Sequence, residues 1–170
     1  KKLNKINIKN FEKKYKIEIK KLLLKLNFKN DTFVHRDFHV SNLIYIKNNI
    51  ALIDSQDALI GNKAYDLASL IDDVRLKTSN RFKNKILHRY LKILKKTERD
   101  KFTNDFEILS VLRNLKIIGI FMRLALRDNK KKYLKMIPYA WQMINYRMKK
   151  NKKFKNLKLI LKMNFPKFVK

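Results

Sequence analysis

A chain of 170 residues, 45% of them hydrophobic, can bury a substantial core, which excludes a wholly disordered protein. The absence of cysteine excludes a disulfide framework and any cysteine-based metal site. A net charge of +29, from 43 Lys and Arg against 14 Asp and Glu, invites a phosphate polymer as partner.

That invitation is weakened by how the charge is laid out. The lysines are spread over nearly every segment and not gathered in one stripe. Lys, Asn and Ile share AT-rich codons, so a biased genome produces this composition whatever the function. Weak, nonspecific, salt-sensitive nucleic-acid binding is still expected. The start of the chain shows no apolar stretch with a cleavage site, and the longest purely apolar run, Ile117 to Met122, is far too short to span a bilayer. The expectation is a cytoplasmic protein with no transmembrane segment.

Residues 1–10 are polar and lysine-rich and read as a frayed basic start. Phe11, Tyr15, Glu18 or Ile19, Leu22 and Leu26 then recur at helical spacing, which predicts a helix ending at Asn27 to Asp31 and packing under the loop that follows. Thr32-Phe33-Val34 is a short strand leading into His35-Arg36-Asp37-Phe38-His39-Val40-Ser41-Asn42. Leu43 to Ile46 and Ile50 to Asp54 flank the triplet Lys47-Asn48-Asn49, which predicts a β-hairpin. If Ile46 faces Ile50, then Asn42 faces Asp54 at about 5 Å across the strands.

The hairpin thus brings an amide oxygen and a carboxylate together at its open end, with Asp37 on the loop that feeds it. Asn42 and Asp54 supply hard oxygen ligands that suit Mg²⁺, which keeps several waters and shares its shell with phosphates. Asp37 can accept a proton from a hydroxyl attacking phosphorus. An Asp, an Asn five residues later and a strand ending in Asp is an arrangement used for phosphoryl transfer. The plain alternative is three ordinary turn and cap residues. His35 reads as an anchor of the loop by hydrogen bonds, since Asp37 is better placed as a base.

Gly61-Asn62 is a turn signal, followed by a helix with Leu67, Leu70, Ile71 and Val74 on one face. Asp66 sits in its first turn, where the helix dipole favours a carboxylate. Asp72, Asp73 and Arg75 read as solvated, although Arg75 can reach an anionic substrate. Thr78-Ser79-Asn80 starts a helix with a core stripe of Phe82, Ile86, Tyr90 and Ile93 or Leu94, leaving His88 exposed. Thr97 to Lys101 reads as a polar break, and Thr103 as the cap of a long buried helix running to Ala125. On that helix Arg113 needs a partner, because a buried unpaired charge is costly. The partner is either the acidic loop, a substrate carboxylate, or a salt bridge to Asp105 or another acid. Arg127 to Lys130 is a turn, and Pro138 suits the first turn of a further helix carrying Trp141, Ile144 and Met148. Residues 151–170 form a basic amphipathic C-terminal segment, read as a docked helix in preference to a tail on a membrane or RNA.

His35-Arg36-Asp37 with Asn42 resembles the catalytic loop of the aminoglycoside phosphotransferase and protein-kinase-like superfamily, and Asp54 stands at that family's metal-binding Asp. Ile53-Asp54-Ser55-Gln56-Asp57-Ala58, Ala64-Tyr65-Asp66-Leu67-Ala68-Ser69-Leu70 and the text from Asp105 to Trp141 look like the branch that phosphorylates the anomeric hydroxyl of N-acetylmuramate or N-acetylglucosamine in cell-wall recycling. Ser55 and Gln56 depart from the pattern, the first replacing an aromatic residue. The resemblance covers roughly residues 30–148. It implies a mainly α fold with a small β-hairpin, the C-terminal lobe of a protein-kinase-like (α+β) domain, over residues 11–150. It also implies ATP and Mg²⁺ as cofactors, a sugar hydroxyl as acceptor, Asp37 as catalytic base, and Asn42 with Asp54 as metal ligands. On the same basis Asp66 braces the loop, and Asp57, either a loop-capping carboxylate or a contact to the sugar hydroxyls, leans to the sugar. By their own place in the chain, His39, Arg75 and Arg113 are further candidates for contact with the sugar or phosphate.

The family's small β-rich lobe holds a Gly-rich loop and a strand lysine. No glycine precedes Gly61, so the chain resembles the C-terminal lobe only, as expected of a truncated gene, a protein with a separate N-lobe partner, or a fragment of a longer chain. Two rivals stand beside an amino-sugar kinase. One is an aminoglycoside or small-alcohol kinase of the same superfamily. The other is a basic nucleic-acid- or membrane-binding protein with a vestigial kinase motif.

Overall fold

A computed structural model describes residues 8–149 and 151–169. It is mainly helical, with two small antiparallel sheets. In chain order the elements are α1 (Ile8–Leu23), β1 (Thr32–Val34), β2 (Leu43–Ile46), β3 (Asn49–Leu52), β4 (Leu59–Gly61), α2 (Tyr65–Ile71), α3 (Asn80–Ile93), α4 (Lys96–Leu126), α5 (Ile137–Met148) and α6 (Lys155–Asn164). No described helix is long and apolar enough to cross a membrane.

The long helix α4 is the axis of the molecule. Its N-terminal half buries Phe102, Phe106 and Leu109 against Ala64, Ala68 and Ile71 of the α2 region. Its C-terminal half buries Ile117 and Phe121 in a larger cluster with Trp141, Ile144, Phe154, Leu157 and Leu161. A helix buried on several sides carries no single apolar stripe, which is why α4 reads poorly as an amphipathic element. It begins at Lys96, so the polar stretch Thr97 to Lys101 is helical and Thr103 is interior. The Thr103 hydroxyl donates to the Arg99 carbonyl at 2.8 Å in place of capping.

Helix α1 lies against α6 and α4, and its last residue, Leu23, lines a cavity together with Arg36 of the loop. Phe11 stacks on Tyr15 at 5.5 Å and meets Phe165 edge-on at 5.6 Å. Of the expected frayed start, residues 8–10 are already helical and residues 1–7 lie outside the described residues. The C-terminal segment docks, with Phe154, Leu157, Leu161 and Val169 buried.

Helix α3 is capped by Ser79, whose Oγ accepts from the Phe82 N–H at 3.2 Å. Its buried face is rotated from the expected stripe. Ile86, Leu87, Tyr90, Leu91 and Leu94 pack inward, while Phe82 and Ile93 are exposed. Lys83 takes the inward position because its ammonium has partners there, the Ile71 carbonyl and the Asp72 carboxylate.

Asp72 and Asp73 are buried, against the expectation of solvation. Asp72 accepts from Arg147 Nε at 2.7 Å and Nη2 at 3.1 Å, and from Ser110 Oγ at 2.5 Å. Burial alone would raise the Asp72 pKa, but the Arg147 guanidinium, the Lys83 ammonium and the Ser110 hydroxyl hold it below the usual carboxylate range. Asp73 Oδ1 accepts from the Arg75 backbone N–H at 3.2 Å and from Nη1 at 3.1 Å.

The hairpin register differs by one residue from the expected one. Ile46 pairs with Asn49, not Ile50, so β2 and β3 are joined by the two-residue turn Lys47-Asn48. Both turn residues have positive φ, 42° and 66°, as a type I′ turn requires. Extended outward, this register sets Asn42 opposite Ile53, whose N–H donates to the Asn42 carbonyl at 3.1 Å. A one-residue slip turns every side chain to the other face. Asp54 is brought back by its own backbone, which leaves the strand at a φ of 70°.

Candidate active site

The loop from His35 to Asn42 is positioned from both ends. Strand β1 pairs antiparallel with β4, Val34 opposite Leu59, which sets where His35 emerges. Asp66, in the first turn of α2, accepts the His35 N–H at 2.7 Å and the Arg36 N–H at 3.0 Å. Arg36 has a φ of 71°, a left-handed conformation that a non-glycine residue adopts only when its surroundings hold it.

The interior of the loop is equally tied. His35 donates from Nε2 to the Ile53 carbonyl at 3.0 Å, linking the loop to the residue before Asp54. Arg36 Nη1 donates to the Asp57 carbonyl at 3.2 Å. The Asn42 amide nitrogen donates to the Asp37 carbonyl at 3.0 Å, and the Asn42 N–H to the His39 carbonyl at 2.9 Å. With its nitrogen committed to the backbone, Asn42 has its Oδ1 left as a ligating atom. Gln56 Nε2 donates to Asp54 Oδ1 at 2.7 Å, which leaves Oδ2 for a cation.

Asp37, Asn42 and Asp54 line one cavity of about 310 Å³, together with His39, Arg75 and Arg113. Asp57 is exposed and does not line it, so of the expected substrate contacts three are brought together and one is not. The donors at Asn42 and Asp54 are all oxygen, the chemistry that suits Mg²⁺. Among the described residues no group of three or more His, Cys, Asp or Glu that could hold a metal ion is found.

Arg113 does not pair with Asp105. Asp105 is occupied elsewhere, accepting from the Asn27 and Phe28 backbone N–H groups at 2.8 and 3.0 Å and from Asn62 Nδ2 at 2.8 Å. Arg113 is 5% exposed, its Nη1 has no partner, and burial lowers its pKa. His39 is buried too, with Nδ1 unpartnered. Its pKa is lowered first by burial and then by the Arg75 charge, partly offset by Asp73. Among the further residues that line the cavity are Tyr65 and Lys116. Lys116 was legible in principle, standing three residues after Arg113 on the same helix face. Tyr65 had no signal beyond its place beside Asp66.

Residues 4–102 match the Phosphotransferase enzyme family. Three proteins named N-acetylmuramate/N-acetylglucosamine kinase are similar to this chain. The one from Caulobacter vibrioides is 35% identical over 114 residues, 64% of this chain and 31% of that protein. The one from Neisseria meningitidis serogroup B is 35% identical over 131 residues, 74% of this chain and 38% of that protein. The one from Pseudomonas aeruginosa is 35% identical over 112 residues, 62% and 33% of the two chains. The chain spans about a third of the length of these relatives. The match to the family extends over more than half of the chain and contains the loop, the hairpin and α2. On that match the chain, with its mainly helical α+β architecture, belongs to the phosphotransferase enzyme family.

Proposed function

We propose that this chain carries the phosphoryl-transfer half of an ATP- and Mg²⁺-dependent kinase acting on a sugar hydroxyl, with an amino sugar of the N-acetylmuramate or N-acetylglucosamine type as acceptor. The observation that carries the reading is the convergence of Asp37, Asn42 and Asp54 on one cavity, with the loop between them held from Asp66 and Ile53. The acceptor identity is supported by the names of the similar proteins.

In this reading Asp37 orients the acceptor hydroxyl and takes its proton as the hydroxyl oxygen attacks the γ-phosphorus. Asn42 Oδ1 and Asp54 would hold Mg²⁺, which when bound offsets the charge spread over the transferred phosphoryl group. Asp66, His35 and Arg36 act on the chemistry indirectly, by fixing the backbone from which Asp37 projects. A cytoplasmic location, where nucleotide and Mg²⁺ are available, follows from the same reading.

The test is transfer of labelled γ-phosphate from Mg-ATP by the purified chain to N-acetylmuramate, N-acetylglucosamine or an aminoglycoside, with Asp37→Ala as control. Transfer to an amino sugar that is lost in the control supports the proposal. Transfer to the aminoglycoside alone replaces the acceptor. Absence of transfer, repeated with the missing part of a full-length relative supplied in trans, overturns it.

A further inference from the structure

The cavity holds more positive charge than phosphoryl transfer at Asp37, Asn42 and Asp54 accounts for. Arg75, Arg113 and Lys116 all line it. Arg113 is more than nine-tenths buried, and its Nη1 donor meets no acceptor in the protein. An unmet guanidinium N–H in a buried site costs roughly 1–3 kcal/mol, a cost a ligand anion would remove. Arg75 is aimed by its neighbour, since Asp73 accepts both its backbone N–H and its Nη1. His39, which lines the same cavity, also has a buried Nδ1 without a partner.

The three cations line the cavity into which the base Asp37 opens. Arg113 lies within electrostatic reach of Asp73, Arg75 and Asp37. It shares its cavity with the base Asp37. Ile117, Ile120 and Phe121 continue the same face of α4 and give the cavity an apolar wall. A sugar ring lying against that wall with its reacting hydroxyl at Asp37 would present its substituents to Arg113 and Lys116.

We propose that Arg113, with Arg75 and Lys116 beside it, is the specificity-determining subsite for a carboxylate on the acceptor, so that the site selects an anionic amino sugar over its neutral counterpart. The inference rests on the amino-sugar reading above. N-acetylmuramate and N-acetylglucosamine share the amino-sugar ring, and the first carries a carboxylate that the second lacks. A charge-assisted contact of this kind is worth about tenfold in affinity or more.

The experiment is calorimetric titration of the full chain with N-acetylmuramate, N-acetylglucosamine and Mg-ATP, followed by the same titrations of Arg113→Gln and Lys116→Gln. The expected result is at least about tenfold tighter binding of N-acetylmuramate. Arg113→Gln should bring the ratio close to one while leaving N-acetylglucosamine affinity in place. Because Arg113 is buried, its variant is checked by circular dichroism. Lys116 is exposed, and Lys116→Gln should reduce the ratio without touching the fold. Equal affinity for the two sugars, a ratio indifferent to both variants, or a loss of Mg-ATP affinity in their place would each overturn the subsite and leave the amino-sugar reading standing. Binding of neither sugar would overturn both.

Discussion

Asp66 accepts the backbone N–H of Arg36 at 3.0 Å, and Arg36 stands at a φ of 71°, so a carboxylate thirty residues away holds a strained turn immediately before Asp37. The same carboxylate accepts the His35 N–H at 2.7 Å. A helix residue thereby sets the direction in which the loop delivers its carboxylate.

Asp66→Asn should loosen this turn. The new amide can still accept one N–H, but its NH₂ group opposes the other. A loss of about 1–3 kcal/mol in urea unfolding is expected, with faster hydrogen exchange at the His35 and Arg36 amides. Unchanged exchange at those two amides would remove Asp66 from this role.

Asp37→Asn and Asp54→Asn should fail differently. Removing the proton acceptor at Asp37 should lower phosphotransfer by about 10²–10⁴-fold with little change in Mg²⁺ requirement. Asp54→Asn should shift the Mg²⁺ dependence to higher concentration. Identical Mg²⁺ titrations for the two variants would contradict the division of labour.

The buried carboxylate of Asp72 makes stability sensitive to acid. Its pKa in the fold lies below its unfolded value of about 3.9, so the stabilisation is complete above that value. It is lost as pH falls through the lower, folded value. Asp105, also held low, adds in the same direction. Urea midpoints measured from pH 6 downward should therefore fall steeply only in the acid range. Asp72→Asn leaves Arg147 and Lys83 buried without their counter-charge, and a destabilisation of about 3–5 kcal/mol is expected, with a shallower acid limb. A variant as stable as the parent would show the network to be dispensable.

His39 should titrate below the ordinary histidine value of about 6.5 when followed by ring proton shifts. It is then neutral in the fold, and its contribution to stability is whole above that value and lost as pH falls through it. Arg75→Gln should raise its pKa and Asp73→Asn should lower it further, since the first charge opposes protonation and the second favours it. Opposite signs would show that these groups do not face His39.

What the sequence determined by itself is local and ordered along the chain. The loop from His35 to Asn42, the hairpin, the Ser79 cap, the Pro138 start of α5 and the family resemblance all depend on residues close in sequence. Propensity and spacing therefore carried them. The exact register failed because it turns on which of three adjacent polar residues adopt positive φ, and Lys47 and Asn48 do while Asn49 stays in the strand. The remaining decisions were tertiary. Asp72 and Asp73 read as solvated, yet both are buried, because the Arg147 that neutralises Asp72 lies 75 residues away. Lys83 turned inward for the same carboxylate and rotated α3 with it. Whether Arg113 would meet Asp105 or a ligand depended on Asn27, Phe28 and Asn62 claiming that carboxylate first. Asp72, Lys83 and Arg147 enter the core because each finds its counter-charge there, and such partners are set by the packing of distant helices, which no local pattern records.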